Sequence, residues 1–297
     1  MHSAREILNM KKTGNRIFRF ILGSFTLLTS LALAFVIIFI VKEALPTFQN
    51  VSLKEFLLTG DWMPISGIGN GPRFGILNFL AATIFVSFLA ILIAGVVGIG
   101  AALFLSCVAT DRMRGVLYPF IDLLAGIPSV VYGFVGLTVL VKLFLKAGVR
   151  TGSCVLAAAI LLAVMLLPYL VSAVSETLLK NKDAYLKAAD ALGVDSWYTI
   201  CGIVLPASFK NILAAMILAI GRAMGETMAV MMVIGNANLF PTLLGKSETI
   251  AAVIALEMGT AVNGSTHFHA LYAAGLVLII VLMGINFGIN ALRKRFI

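Results

Sequence analysis

Long runs of apolar residues, separated by short polar segments, divide the chain into six candidate membrane spans. A helix needs about twenty apolar residues to cross the hydrocarbon core of a bilayer, and each run reaches about that length. The predicted spans are Phe20–Val41, Phe74–Val108, Val116–Leu145, Ser153–Val174, Phe209–Ile234 and Ala270–Leu292. The pattern predicts an all-α integral membrane protein, with residues 1–19 as a basic cytoplasmic tail and residues 20–297 as a transmembrane domain.

Composition and charge support this assignment and give it an orientation. Hydrophobic residues make up 61% of the chain and charged residues 12%, whereas soluble domains have about 25% charged residues. The six spans leave fourteen lysines and arginines on one side of the membrane and seven on the other. The positive-inside rule therefore predicts that both termini and the segment 175–210 are cytoplasmic. The net charge of +9 is spread between the spans, which argues against a nucleic-acid partner.

The polar segment 175–210 has a helical pattern on both sides of Gly193. Residues on one helical face recur at i, i+3, i+4 and i+7. They are Tyr185, Ala188, Ala189 and Leu192 before the glycine, and Trp197, Ile200, Cys201 and Val204 after it. The segment is therefore predicted to be two short amphipathic helices joined at a C-cap glycine, with Asp195 or Ser196 capping the second. They either lie on the protein's own surface or dock into a partner.

The interior of the predicted fifth span contains two ionisable residues, Arg222 and Glu226, four positions apart. An ionisable residue inside a span costs roughly 2.5 to 3.5 kcal/mol, so it is a candidate functional residue. The i, i+4 spacing predicts that the two share a helix face, and Gly221 and Gly225 predict close packing on a neighbouring helix. The pair is either an ion pair that holds helices together or part of a path for an anion.

The predicted third span is interrupted by Pro128, which removes a backbone donor. Gly126, Gly133 and Gly136 weaken the same helix. The span is either an ordinary kinked helix or a broken helix that lines a substrate path, as in many transporters.

One motif of the 175–210 segment resembles a family signature. The pattern A-A-x-x-x-G, followed after nine residues by I-x-L-P, is similar to the coupling loop of bacterial ABC importer permeases. Its residues are Ala188, Ala189, Gly193, Ile203, Leu205 and Pro206. The resemblance implies a type I ABC importer permease fold with six transmembrane helices, in which this loop docks on an ATPase subunit. Lys187 stands where that family usually has a glutamate.

Two further stretches, LAGIPSVVYG from Leu124 and GRAMGETMAVMMVIGN from Gly221, resemble the PstC family of phosphate permeases, as does TGDWMP from Thr59. The resemblance implies phosphate as cargo and an inner-membrane location. It also implies a PstA-like second permease, two ATPase subunits and an external phosphate-binding protein as partners. The substrate path is then expected to include Arg222, Glu226, Pro128 and Ser129. In this hypothesis Glu226 holds Arg222 when the path is empty and favours protonated oxyanions otherwise.

Three other functions are weighed against this one: a permease for molybdate or sulfate, a secondary transporter or channel working alone, and an enzyme. The importer motif disfavours a secondary transporter or channel working alone, and no nucleophile–base pair or metal cluster supports an enzyme. Gly245–Ser247 resembles the end of a phosphate-binding loop, but Phe240 stands where its first glycine is required. No cofactor, catalytic residue or metal ligand is expected, and His267 and His269 are interpreted as solvated surface.

Overall fold

The structure is a computed structural model that describes residues 2–65 and 71–295. Within these residues the chain forms thirteen α-helices and one small antiparallel sheet. The helices are α1 His2–Ala44, α2 Thr47–Asn50, α3 Leu53–Leu58, α4 Leu77–Leu103, α5 Asp111–Gly126, α6 Ser129–Val135, α7 Val141–Lys146, α8 Val155–Ala191, α9 Ser196–Thr199, α10 Leu205–Gly225, α11 Met228–Ile234, α12 Ile250–Glu257 and α13 Thr266–Arg295. The strands are β1 Trp62–Met63 and β2 Arg73–Phe74. A turn of π-helix extends α4 over Phe104–Val108. Two further π-helical turns make longer helical rods: Gly136–Leu140 joins α6 to α7, and Ile200–Val204 joins α9 to α10.

Six helical stretches of the described chain are long and apolar enough to cross a membrane. They are Phe18–Asn50, Leu77–Val108, Ser129–Lys146, Val155–Ala191, Ser196–Gly225 and Thr266–Ala291. The predicted number of spans and the helical class are therefore confirmed, with the two-residue strands as the only sheet in the described residues. The first stretch consists of residues 18–44 of α1 and continues to the end of α2, and α1 also includes residues 2–17 of the basic tail.

Helix α8 lies at the centre of the core and packs on α4 and α10. Its side chains Leu162, Leu166 and Leu170 are almost completely buried. Gly98 of α4 allows the close approach, because a Cβ at that position would lie 3.2 Å from the Cβ of Leu170. In contrast, α1 contacts mainly α13, and its Phe20 is 76% exposed. An apolar side chain so exposed in a span requires lipid or another subunit around it.

The third span differs from its prediction of Val116–Leu145, because the helix is broken and not merely kinked. Helix α5 ends at Gly126, Ile127 is extended with φ −69° and ψ 127°, and α6 begins after Pro128. The proline ring disfavours the helical conformation in the residue before it, which accounts for the extended Ile127. The apolar stretch that can span therefore begins at Ser129.

The prediction of two short helices within 175–210 is also wrong. Helix α8 continues without interruption from Val155 to Ala191, and α9 leads through a π turn into α10. The joint between these two rods is a short turn around Gly193, which has φ +70°. The Val194 N–H donates to Ala189 O and the Gly193 N–H donates to Asp190 O, at 3.0 and 3.2 Å. This pair of bonds is a Schellman motif, so the C-cap glycine predicted at this position is confirmed.

The two ends of the helical rods are held by different contacts. We call the end with Gly193 the hinge end and the opposite end, with Trp62 and Glu257, the loop end. There Glu257 Oε2 accepts a bond from Trp62 Nε1 at 2.8 Å and contacts His267 Nε2 at 2.7 Å. His269 Nδ1 contacts the carbonyl oxygen of Glu43 at 2.8 Å. The interpretation of both histidines as solvated surface is therefore wrong.

Candidate substrate path and coupling joint

The fifth span is broken at Glu226, so the prediction of one helix from Phe209 to Ile234 is wrong. Helix α10 ends at Gly225, and Glu226 is extended with φ −70° and ψ 123°. Its Oε1 accepts a hydrogen bond from the Ala229 N–H at 3.2 Å, as a capping side chain does at a helix start. Thr227 Oγ1 donates to Gly225 O at 3.2 Å, a further local bond that competes with helix continuation.

Arg222 and Glu226 therefore do not share a helix face, which corrects the i, i+4 interpretation. Arg222 lies in the last turn of α10, whereas Glu226 lies beyond its end. Both side chains are described, and the ion pairs within 4.0 Å among the described residues do not include this pair. The expectation that Glu226 holds Arg222 in the empty path is thus not met.

Of the glycines singled out in the third and fifth spans, only Gly133 and Gly136 of the third span pack closely on another helix. A Cβ on Gly221 or Gly225 would have no atom within 4 Å, so the predicted packing of this pair on a neighbouring helix is wrong within this chain. A Cβ on Gly133 would lie 2.7 Å from Met232 Sδ, and one on Gly136 would lie 2.8 Å from Val233 Cγ2. Helix α6 and its continuation therefore pack directly against α11.

This packing brings the two helix breaks together. Tyr132 donates its hydroxyl to Leu124 O at 2.9 Å and so bridges the break at Pro128. In the other span, Arg222 lies in the last turn of α10, four residues before the break at Glu226. Tyr132 was missed in the sequence, although it stands inside the quoted motif, four residues after the proline.

The paired breaks lie on an open face of the chain. Arg222 and Pro128 are exposed, and Ser129 and Glu226 are half-buried. Helix α5, which leads into the first break, has no buried residue. A guanidinium in this setting binds an oxyanion through two parallel hydrogen bonds and stays charged at any physiological pH. An ionised carboxylate can only accept hydrogen bonds.

The joint at the hinge end presents apolar side chains to solvent. Leu192 is 80% exposed, Trp197 is 63% exposed and Tyr198 is 66% exposed. Asp195 caps α9, because its carboxylate accepts from the Tyr198 N–H at 3.0 Å. Such a cluster of large exposed apolar residues on a rigid turn is typical of a protein-binding surface.

The other predicted coupling residues are divided between the two rods. Lys187 and Ala188 are exposed near the end of α8, and Ala189 is buried there. Ile203 and Pro206 are exposed on the second rod, 10 and 13 residues beyond Gly193 along the chain. The structure thus brings Lys187, Ala188 and Gly193 to one surface, and the isoleucine and proline extend it along the neighbouring rod.

Among residues 18–65, 71–182 and 185–291, no three side chains of histidine, cysteine, aspartate or glutamate form a group that could hold a metal ion. The three cysteines Cys107, Cys154 and Cys201 are free thiols.

Comparison with known sequences identifies relatives along most of the chain. Residues 94–297 match the family model of the binding-protein-dependent transport system inner membrane component. A phosphate transport system permease protein PstC of Xylella fastidiosa is 37% identical over 86% of this chain and 86% of its own length. A probable ABC transporter permease protein of Bacillus subtilis, YqgH, is 36% identical over 89% of this chain and 85% of its own length.

Solved structures share the fold. The inward-facing MetNI methionine ABC transporter matches with a TM-score of 0.59 at 15% identity, over 74% of this chain and 95% of that chain. A bacterial ABC transporter that imports the acidic polysaccharide alginate matches with a TM-score of 0.57 at 15% identity, over 74% and 79% of the two chains. The arrangement of helices is therefore that of a type I ABC importer permease.

Proposed function

The chain belongs to the family of binding-protein-dependent transport system inner membrane components, and on this premise we propose that it is the PstC-like permease of an ATP-driven phosphate importer. It is a multi-pass membrane protein of a family whose permeases work with ATPase subunits and a second permease. ATP hydrolysis belongs to those ATPase subunits, so this chain is a transporter subunit and not an enzyme.

The observation that carries the proposal is that Arg222 lies in the last turn before one helix break, and that the helix after this break packs on the helix after the other break. Broken helices in a transporter leave backbone groups and polar side chains available to cargo in the middle of the membrane. Arg222 contributes a permanent positive charge there, and Pro128 and Ser129 form the neighbouring break. An oxyanion that enters this space exchanges hydrogen bonds to water for two parallel hydrogen bonds from the Arg222 guanidinium.

Glu226 provides selection among oxyanions in this proposal. One of its oxygens accepts the Ala229 N–H, so the other oxygen remains available to a hydrogen-bond donor. Phosphate near neutral pH carries a proton that it can donate, whereas sulfate does not. A fixed carboxylate near Arg222 therefore repels both anions, but only phosphate offsets this repulsion by donating a hydrogen bond to it.

The open face around the breaks is the surface that a PstA-like second permease covers. Arg222 and Pro128 are exposed in this chain alone, and an arginine facing lipid at this depth is costly. A second permease against α5 and α10 removes that cost and closes the path between the two subunits.

The joint around Gly193 is the proposed docking surface for one of two ATPase subunits. Its exposed Leu192, Trp197 and Tyr198 match the apolar anchors of a protein interface. The charge bias then places both termini and this joint in the cytoplasm of a cell whose inner membrane holds the complex. The loop end faces outward, where an external phosphate-binding protein delivers the cargo.

ATP-dependent uptake tests the cargo directly. The complex of both permeases and the ATPase subunits is reconstituted in vesicles with phosphate-loaded binding protein outside, and labelled phosphate is followed with sulfate or molybdate as competitors. We expect accumulation that requires ATP and that tenfold excesses of the competitors leave unchanged. Uptake of sulfate or molybdate in preference to phosphate would assign the chain to another oxyanion, and uptake by this chain without ATPase subunits would identify a secondary transporter.

A further inference from the structure

The end of α4 is held by two cations from different helices at the hinge end. Arg114 donates from Nε to Leu105 O at 2.8 Å and from Nη2 to Ser106 O at 2.9 Å. Lys182 of α8 donates from Nζ to the same Ser106 O at 3.0 Å. The last carbonyls of a helix have no partner within the helix, and cationic side chains satisfy them well.

The α8 segment that carries Lys182 is also linked to the second rod. The neighbouring Asn181 donates from Nδ2 to Ser208 Oγ of α10 at 2.8 Å. The Ser208 hydroxyl in turn donates to Val204 O at 2.7 Å. The two adjacent residues of α8 thus connect the end of α4 with the beginning of α10, about 16 Å along the helix from Gly193.

Next to the end of α4 there is a cavity of about 300 Å³ between α4 and the α9–α10 rod. Phe104, Cys107 and Val108 line it on one side, and Trp197, Cys201 and Leu205 line it on the other. The two walls leave an apolar gap, so α9 has little direct packing on the end of α4, and α8 is the helix that packs on both. Lys182 adds a polar bond from α8 to the carbonyl of Ser106, and Arg114 of α5 fixes the same end of α4.

We propose that Lys182, with Arg114, is the positioning residue that transmits a displacement of the Gly193 joint to the end of α4. This inference rests on the proposed docking of an ATPase subunit at that joint. A purely structural cap would hold α4 in the resting state but would not change how α4 responds to ATP.

The chain carries native reporters on both sides of the cavity. Cys201 lies on the rod that follows the joint, and Cys107 lies in the π turn at the end of α4, so both thiols line the same cavity. The third thiol, Cys154, is fully buried at the start of α8, and Cys154→Ser removes it while keeping a side chain that accepts from the Ala157 N–H.

The test measures alkylation rates of Cys107 and Cys201 by N-ethylmaleimide in the assembled complex, with and without ATP and vanadate, by mass spectrometry of this chain. In the Cys154→Ser parent both rates are expected to change with ATP. In Lys182→Met the change at Cys201 remains, whereas the change at Cys107 falls about fivefold or more. Lys182→Arg retains both responses, and Lys180→Met, which removes an exposed lysine of the same helix, behaves as the parent.

If an assembled Lys182→Met complex shows the same ATP-dependent change in the alkylation rate of Cys107 as the parent, the inference is wrong and the proposed function is unaffected. An unchanged Cys201 in the parent overturns both the docking at the joint and this inference, and phosphate uptake by the same vesicles then shows whether the cargo assignment stands. If Lys182→Met does not assemble, Arg114→Gln provides the second variant. It removes two of the three cationic bonds, and an unaltered response of Cys107 in that variant also contradicts the inference.

Discussion

The carboxylate of Glu226 accepts a hydrogen bond from the backbone N–H of Ala229 at 3.2 Å and thereby caps α11. The acid that follows Arg222 by four residues is consequently engaged by the next helix and not by the arginine. The two charged residues therefore have different roles. Glu226 shapes the helix break and offers one free oxygen, and Arg222 remains available to an anion.

Two substitutions of Glu226 separate its capping role from its role in selection. Glu226→Ala loses the cap and is expected to destabilise the protein by about 1 kcal/mol. Glu226→Gln retains an oxygen that accepts from Ala229, so its thermal stability in detergent should equal that of the wild type. Because the amide can also donate to either anion, Glu226→Gln should take up phosphate with stronger inhibition by sulfate. Unchanged competition by sulfate would remove Glu226 from the selection step.

Gly193 is predicted to tolerate few other residues, because its φ of +70° is unfavourable for any residue with a Cβ. No atom lies within 4 Å of a Cβ placed there, so the cost of about 1–2 kcal/mol is conformational and not steric. Gly193→Val should remain in the membrane but lose co-purification with the ATPase subunit and ATP-dependent uptake. Gly193→Asn, which adopts positive φ more readily, is the matched control. Normal uptake and co-purification of the valine variant would place the docking surface elsewhere.

Glu248, at the loop end, makes the stability of the folded protein depend on pH. Burial, followed by the nearby charge of Glu257, raises the pKa of this carboxyl from 4.5 to about 7. The folded protein therefore binds this proton more tightly than the unfolded chain, and stability falls as the pH rises from about 4.5 to about 7. Glu248→Gln should abolish this fall, so its thermal midpoint should exceed that of the wild type by an increasing margin up to pH 7.

The control for this measurement is Glu55→Gln, which neutralises an exposed carboxylate at the same end of the molecule. Its thermal midpoint should follow that of the wild type across the whole pH range. Parallel curves for the wild type and Glu248→Gln would show that Glu248 titrates in the folded protein as it does in the unfolded chain.

The orientation of the chain can be checked by labelling in sealed vesicles. In a background in which Cys107, Cys154 and Cys201 are replaced by serine, Leu244→Cys should react with an impermeant maleimide from outside. Asp190→Cys should react only after the membrane is opened, since the hinge end is predicted to be cytoplasmic. Reaction of both positions from one side would contradict the six-span topology.

The sequence predicted the features that depend on local chemistry. The number of spans follows from the length of apolar runs, because the bilayer thickness sets that length. The positive φ of Gly193 and the cap at Asp195 follow from residues that each favour one local backbone geometry. These features need no knowledge of what packs against them.

The features that depend on tertiary contacts were not predicted. The spacing of Arg222 and Glu226 is compatible with one helix, and the break between them accompanies the packing of α11 on α6. The bond between Trp62 and Glu257 joins residues 195 positions apart, which no local pattern indicates. The continuation of α8 to Ala191 was obscured because its apolar half and its polar half have different patterns.

Phosphate uptake by Arg222 variants in reconstituted vesicles tests the central claim most directly. Arg222 is exposed in this chain, so Arg222→Gln should assemble normally while uptake per ATPase complex falls about tenfold to a hundredfold. Because Glu226 is engaged with Ala229, the double variant Arg222→Gln, Glu226→Gln should not recover uptake. Full phosphate uptake by the assembled double variant would contradict the account, since it would mean that the two residues only balance each other's charge.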